Sequence, residues 1–480
     1  MTYIRDPKGI LKRELARLYD EFELPGDFPP DVLADANAAA SRHPDARSHE
    51  DRTNLPFVTL DPASSTDLDQ AFHIERSGSD IILHYAIADV PWFVDDDSPM
   101  AREAWRRGET IYLPGDKISL YPEVISQGVA SLLPDGPRPA VVFIVRIDPH
   151  GISRLDGVRR ALIRSRAKLA YETATEADLP DGLADLARRI EAAEHERGAA
   201  RIDTPEQELE EMDSGILQLS FRKRYRTEDQ NAALSLAANL AVAQFLLEHH
   251  TGLFRVMDEP DAEAVSRLRV QAAALGVNWP DGEPLKALER RLDSNRPNDT
   301  ALMLAIRRTG HGASYAPYNE SKKPWHAAVA AIYAHATAPL RRLADRYVVE
   351  AALALANGRS LPQRVGEAFD KLPPVMARAD GLAGRTDAAV LDLAEAIMLR
   401  GQEGELFDAR VIDEGDRGRI TAQLAKLPVV VRLNENSEWP RKVRYGEHLR
   451  LRLDHIDLEA RKTHFGFYPT EPDQADLSNQ

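Results

Sequence analysis

The sequence predicts an α+β protein: a large mixed α/β body, a short helical segment ahead of it and a small β-barrel behind. Three observations carry this. Apolar runs of strand length cluster between residues 55 and 164, two of them joined across the turn-forming Ser77-Gly78-Ser79-Asp80. Helix-patterned stretches follow at 232–249, 341–356 and 375–400. From Glu405 the pattern changes to short alternating runs separated by Gly, Asn and Asp, the spacing of a small barrel.

Taken in order, Ile10, Leu11, Leu15 and Leu18 recur at helical spacing and predict a helix over 9–22, which Leu24-Pro25-Gly26-Asp27-Phe28-Pro29-Pro30 breaks. Asp31 is placed to cap a second helix that runs through the alanines to Arg42. Residues 43–51 are polar, contain Pro44 and read as a linker. Strands are expected at 55–60, 72–76, 81–88, 141–148 and 158–164. Ser98-Pro99, then 100–107, then Gly108 supplies a cap, a first-turn proline and a terminating glycine, so a short helix has both ends marked.

Residues 172–200 read as helix, 206–213 as an acidic run and 215–219 as a strand; Arg222-Lys223-Arg224-Tyr225-Arg226 then reverses the charge. Residues 232–249 are apolar on every side, as a buried helix would be. Pro339 precedes the helix 341–356, where a missing N–H is harmless, and Asn357-Gly358 closes it. Barrel strands are expected at 407–412, 418–424, 429–433 and 448–455. The division is 1–50 helical segment, 51–400 body, 404–470 barrel and 471–480 disordered tail.

The 480 residues include 61 basic and 77 acidic side chains, a net charge of −16. That balance argues against a protein that coats nucleic acid indiscriminately, so any such contact is local. Cysteine is absent, which excludes disulfides, thiolate chemistry and Cys-ligated zinc and fits a reducing compartment. No signal-like run opens the chain and no stretch reaches about 18 consecutive apolar residues, so a soluble cytoplasmic protein without membrane association is expected. No fixed-period repeat is visible.

Chemistry concentrates in Thr59-Leu60-Asp61-Pro62-Ala63-Ser64-Ser65-Thr66-Asp67-Leu68-Asp69-Gln70. Three carboxylates in nine residues repel one another, and a fold holds such a cluster in a cleft mainly when cations neutralise it. Oxygen-only ligands suit a hard cation, Mg²⁺ or Mn²⁺. Taken alone, the same stretch reads more readily as a solvated Asp-Pro turn, and it is the surrounding segments that reverse this.

Asp61, Asp67 and Asp69 in this register are followed by Ala71-Phe72-His73-Ile74 and Tyr85-Ala86-Ile87-Ala88-Asp89-Val90. Further on come Ile111-Tyr112-Leu113-Pro114-Gly115, Ser165-Arg166-Ala167-Lys168-Leu169-Ala170-Tyr171, Asn231-Ala232-Ala233-Leu234-Ser235-Leu236 and Tyr333-Ala334-His335-Ala336-Thr337-Ala338-Pro339-Leu340-Arg341-Arg342. In that order these segments resemble the catalytic domain of the RNase II (RNB) exoribonucleases over residues 50–400. The helical start is too short for the tandem cold-shock barrels of longer members, so the resemblance is to a shorter bacterial type.

The resemblance implies an OB-type fold for the C-terminal barrel, with RNA as its ligand. It implies a processive 3′-to-5′ exoribonuclease that hydrolyses single-stranded RNA to 5′-nucleoside monophosphates with Mg²⁺ or Mn²⁺. A nucleotide cofactor is not implied, and no protein partner is named. Asp61, Asp67 and Asp69 fall on the family's metal-binding acids, Asp69 and Asp67 with catalytic roles. Gln70 stands where the family has a fourth acid and is assigned to the metal site with them: its neutral carbonyl oxygen can coordinate a metal but contributes no charge. In-line hydrolysis by two metals about 3.5–4 Å apart is the expected chemistry.

Arg341 falls on the arginine that holds the scissile phosphate; Arg342 is assigned to RNA beside it, and Ala338 replaces the motif's usual serine. Tyr112 falls on an aromatic that stacks on RNA and Tyr171 on a second cleft tyrosine. The family's base-clamping phenylalanine falls near Leu209, which cannot stack, and Asp387 is the choice for a further acid. His73, His84, His326 and His335 fit no ligand spacing and read as structural. The rival reading, motivated by Gln70 and Ala338, is an RNB-fold RNA-binding protein with weak or no catalysis.

Overall fold

The computed structural model describes residues 2–4 and 10–469 apart from 200–206, 212–216, 222–223, 294–295, 310–311, 416–418, 426, 428, 435–442 and 444–445. Part of the acidic run, Arg222, Lys223 and the tail therefore lie outside the described residues.

The body is centred on a seven-stranded sheet of β1 Glu50–Asp51, β2 Phe57–Asp61, β3 Gln70–Ser77, β4 Asp80–Ala88, β5 Arg138–Ile147, β6 Ser153–Ile163 and β7 Ser165–Ala170. Their order is β7-β2-β3-β4-β5-β6-β1. The pairs β7/β2 and β1/β6 run parallel and the rest antiparallel. Every residue of β4 after Asp80 is buried, as a strand covered on both faces requires. Its hairpin to β3 turns at Gly78, whose φ of +64° glycine adopts without a Cβ penalty. The apolar helix Arg226–Glu248 packs on β6 and β5. By length and composition it could cross a membrane, but Leu234, Ala237, Val242 and Leu246 are fully buried in the core.

The helix Pro99–Arg107 forms as its end signals predict. Ser98 Oγ accepts the Ala101 N–H at 3.1 Å, and Gly108 at φ +80° donates to the Ala104 carbonyl at 2.8 Å. A Cβ at Gly108 would lie 2.6 Å from the Ala379 Cβ, so this glycine also lets the long C-terminal helix approach.

Four expectations change. The second helix is Pro30–Ala40 with Pro29 at its cap, so Asp31 sits inside the first turn. Residues 43–51 are no free linker: β1 pairs with β6, and buried His49 meets Asp89 at 3.1 Å. Within 172–200 only Leu183–Arg197 is helical, because Pro180 and the glycine at 182 delay its start. The last helix runs unbroken from Gln363 to Leu399 through Pro373 and Pro374. Two lost N–H donors normally break a helix, and burial of Phe369, Leu372, Met376 and Ala379 on one face retains it.

Beyond residue 404 five antiparallel strands, in the order Val430–Asn434, Arg419–Leu424, Leu406–Gly415, His448–Asp457 and Lys462–Phe467, form a sheet whose edge strands approach each other. This nearly closed sheet is the expected OB-type barrel, with Lys462–Phe467 as a strand the alternation did not mark. Its core of Val411, Leu424, Leu449 and Leu451 is continuous with Leu393 and Leu399 of the long helix and with Leu18 of the N-terminal helix Ile10–Glu21.

Candidate active site

Asp61 is the last residue of β2, and the loop after it returns to β3 at Gln70. The loop is held from within. Ser131 Oγ accepts the Leu68 N–H at 2.9 Å and donates to the Thr66 carbonyl at 2.7 Å, while the Asp69 carbonyl accepts the Ala88 N–H at 2.9 Å. The three aspartates are thereby fixed at the ends of two buried strands.

Asp69 is almost fully buried and uses both oxygens on one segment. Oδ1 accepts the Leu340 N–H at 2.7 Å and Oδ2 accepts Arg341 Nε at 2.7 Å. That segment, the arginine loop 336–342, is clamped from several directions. Asn239 Oδ1 accepts the Ala336 N–H at 2.9 Å, and Asp345 Oδ2 accepts the N–H groups of Thr337 and Ala338 at 3.0 and 2.8 Å. Thr110 donates its N–H to the Arg341 carbonyl at 2.9 Å. Gln70 donates its side-chain N–H to the Thr337 carbonyl.

Electrostatics follow from burial. Desolvation pushes the Asp61 carboxyl up to about 7; Arg341 opposes that shift and Asp69 and Asp67 add to it. Asp69 is pushed up to about 6 by the same burial against the pull of Arg341. Asp67 meets Lys117 Nζ at 2.8 Å. Asp61 Oδ2 is buried without a hydrogen-bond partner. Such an orphan oxygen fits a hard cation, whereas among the described residues no group of three or more His, Asp or Glu side chains is placed to hold one ion.

Tyr112 leaves 49% of its surface exposed on the hairpin Ile111–Leu113 and Asp116–Ile118, opposite Lys117. Burial of its hydroxyl end raises its pKa, and the neighbouring Arg341 charge works against that rise. Tyr171 donates its N–H to the Asp61 carbonyl at 3.1 Å and accepts Asn231 Nδ2 on its hydroxyl at 2.7 Å. An oriented ring therefore stands beside the acids.

The fold brings Asp61, Asp67, Asp69, Gln70, Arg341, Tyr112 and Tyr171 together. Arg342 is instead turned onto Asp345, its Nε and Nη2 at 3.0 and 2.8 Å from the two oxygens. Asp387 lies exposed on the long helix, while Asp380, two turns earlier, pairs with Arg255 at 3.0 Å and raises the pKa of Glu109, already lifted by burial, to about 8. Leu209 lies on the strand Gln207–Glu211, paired with Leu219. His73 and His84 face each other across β3 and β4 and share Glu75, and His335 bonds the Tyr315 hydroxyl at 2.9 Å. Lys117, Asn239 and Asp345 were missed. Asp345 carried a local signal, an acid three residues after Arg342 at the start of a helix; Lys117 and Asn239 carried none.

The RNB domain family matches residues 49–356. Ribonuclease R 1 of Lactococcus lactis subsp. lactis (strain IL1403) is 26% identical over 398 residues, 77% of this chain and 48% of that protein. Ribonuclease R of Escherichia coli (strain K12) is 30% identical over 321 residues, 62% of this chain and 39% of that protein. The chain thus spans about half the length of these curated relatives or less. The solved structure of Mycoplasma genitalium RNase R in complex with ribose methylated single-stranded RNA aligns over 95% of this chain and 78% of its own, with a TM-score of 0.84 at 19% identity. That likeness is one of fold.

Proposed function

From the premise that this chain belongs to the RNB domain family, we propose that it is a processive 3′-to-5′ exoribonuclease, acting in the cytoplasm, that hydrolyses single-stranded RNA to 5′-nucleoside monophosphates with Mg²⁺ or Mn²⁺. The observation that carries this reading is the junction of Asp69 with the arginine loop. An acid from one end of the body and an arginine about 270 residues later are locked at 2.7 Å beside the exposed ring of Tyr112. Asp61, with its orphan oxygen, is the residue that would hold the cation, and the Asp67 and Asp69 carboxylates add negative charge nearby. A bound divalent ion supplies Lewis-acid charge and a water deprotonated at neutral pH.

The chain's own residues do the rest. Arg341 gives Asp69 only its Nε in the bonds described, and a guanidinium held there meets a phosphate oxygen and the charge that grows on it during displacement. Tyr112 stacks on a base without reading its identity, which suits digestion of any sequence. Tyr171, fixed by Asn231, lines the acids. Arg342 acts behind the site by holding the arginine loop to Asp345. The barrel, 404–470, gives the strand a second contact.

A 5′-labelled single-stranded RNA incubated with Mg²⁺ should vanish into short limit products without intermediates, and a uniformly labelled one should release 5′-monophosphates. Gln70 and Ala338 favour the second reading, an RNB-fold RNA-binding protein. RNA that is bound but uncut at saturating Mg²⁺ and Mn²⁺ would establish that reading instead.

A further inference from the structure

The charges of the site do not add up to a cage for two ions. Asp61, Asp67 and Asp69 lie near enough to act on one another's charge without surrounding a common point, and two already face protein cations: Asp69 faces Arg341 at 2.7 Å and Asp67 faces Lys117 at 2.8 Å. The fourth position, Gln70, is neutral and its amide N–H is given to the Thr337 carbonyl. What is left over is one carboxylate, Asp61, with one buried oxygen that no protein group meets. Lys168, the other cation near Asp61, gives its Nζ to the Ala63 carbonyl at 2.7 Å.

We infer that the site takes a single divalent cation, at Asp61, and that the Lys117 ammonium stands in the place of a second one. This rests on the hydrolase reading proposed above. Lys117 is built for such a role rather than straying into it. It sits on a hairpin closed at Gly115, φ +71°, directly across from Tyr112 and next to buried Ile118, so its backbone is fixed relative to the acids. Its Nζ also lies 3.4 Å from Thr66 Oγ1, and its side chain is only 20% exposed beside an Asp67 that is 9% exposed. In so little water the pair is weakly screened, and a divalent ion would have to displace an ammonium already in hydrogen-bonding contact. An ammonium is a compact point charge and can neutralise developing negative charge, but it cannot bind and acidify a water as a metal does. Lys117 is therefore a positioning residue that sets the number of ions.

The inference predicts metal stoichiometry, which is readable without RNA. Mn²⁺ binding to the purified, EDTA-stripped protein, followed by isothermal titration and by loss of the free-ion paramagnetic resonance signal, should saturate at one ion per chain. Lys117→Gln uncovers Asp67 and should take up two; Lys117→Arg keeps the charge and should stay at one. In turnover assays Lys117→Gln should need a higher Mg²⁺ concentration for half-maximal rate, with a steeper dependence on it than wild type.

Two ions, or none, on the wild-type protein would overturn the inference without need of any variant. So would Lys117→Gln that folds, by its melting profile, and still binds one ion with wild-type affinity. The hydrolase reading fails separately: a wild-type protein that binds one Mn²⁺ and leaves RNA intact removes that reading and leaves the ion count standing.

Discussion

Asp69 has no oxygen to spare. An amide in its place could keep one acceptor for the Leu340 N–H or for Arg341, but would turn an N–H donor toward the other. Asp69→Asn is therefore expected to release Arg341 and lower kcat by about a hundredfold or more, the scale seen when one oriented charge contact is lost from a transition state. Affinity for single-stranded RNA, measured by fluorescence anisotropy, should be little changed because Tyr112 and the barrel remain. Activity within about tenfold of wild type would remove Asp69 from the machinery. Gln70→Glu is the sharper test of the neighbouring position. A carboxylate there would face the Thr337 carbonyl in place of the present N–H donor, and about 1–3 kcal/mol of stability should be lost in urea unfolding. A variant as stable as wild type would show that the Gln70 contact is not held in solution. The acids and Arg341 were legible because each sits in a compact run of the chain. The partners that neutralise or aim them were not: Lys117 lies 50 positions from Asp67 and Arg341 272 positions from Asp69.

Elements rather than single side chains hold the arginine loop. It enters the helix Leu343–Ala356 through Asp345, which takes two backbone N–H groups and the Arg342 fork while remaining wholly buried. Asp345→Ala leaves all of these donors without an acceptor, and breaking such a buried pair costs about 3–5 kcal/mol. Urea unfolding should show that loss at an unchanged slope, and what activity survives should be poor because Arg341 is no longer aimed. A loss below about 1 kcal/mol would mean that water reaches the loop and satisfies it. At this scale the sequence was informative wherever chemistry is local. The Ser98 and Gly108 ends, the Ser77–Asp80 turn and the closing Asn357-Gly358 all formed as their residues require. It misled where packing overrides a local rule, as at Pro373-Pro374, and where a short polar stretch is claimed by a distant partner, as when β1 joins β6 and His49 reaches Asp89.

For the molecule as a whole, the acids of the site make stability depend on pH in an unusual direction. Asp61, Asp69 and Glu109 have folded-state pKa values raised by burial to about 7, about 6 and about 8. Free carboxyls titrate near 4. Between about pH 4 and about pH 8 the folded chain therefore keeps protons that the unfolded chain has released, and stability falls as pH rises through that window. The stabilisation from these groups is complete below the unfolded values and is lost as pH passes the folded ones. Asp89 acts oppositely: fully buried, it is held below its ordinary range by His49 and Arg160 against the cost of burial, so its contribution is present above about pH 4 and disappears only in acid. Thermal melts in EDTA should accordingly peak on the acid side of neutrality and decline toward about pH 8. Under the proposed function Mg²⁺ would bind the ionised form of Asp61, and it should then restore stability most at the alkaline end and hardly at all near pH 5. Melting temperatures that are flat across this range in EDTA, or a Mg²⁺ effect independent of pH, would show that the acids are not buried as described.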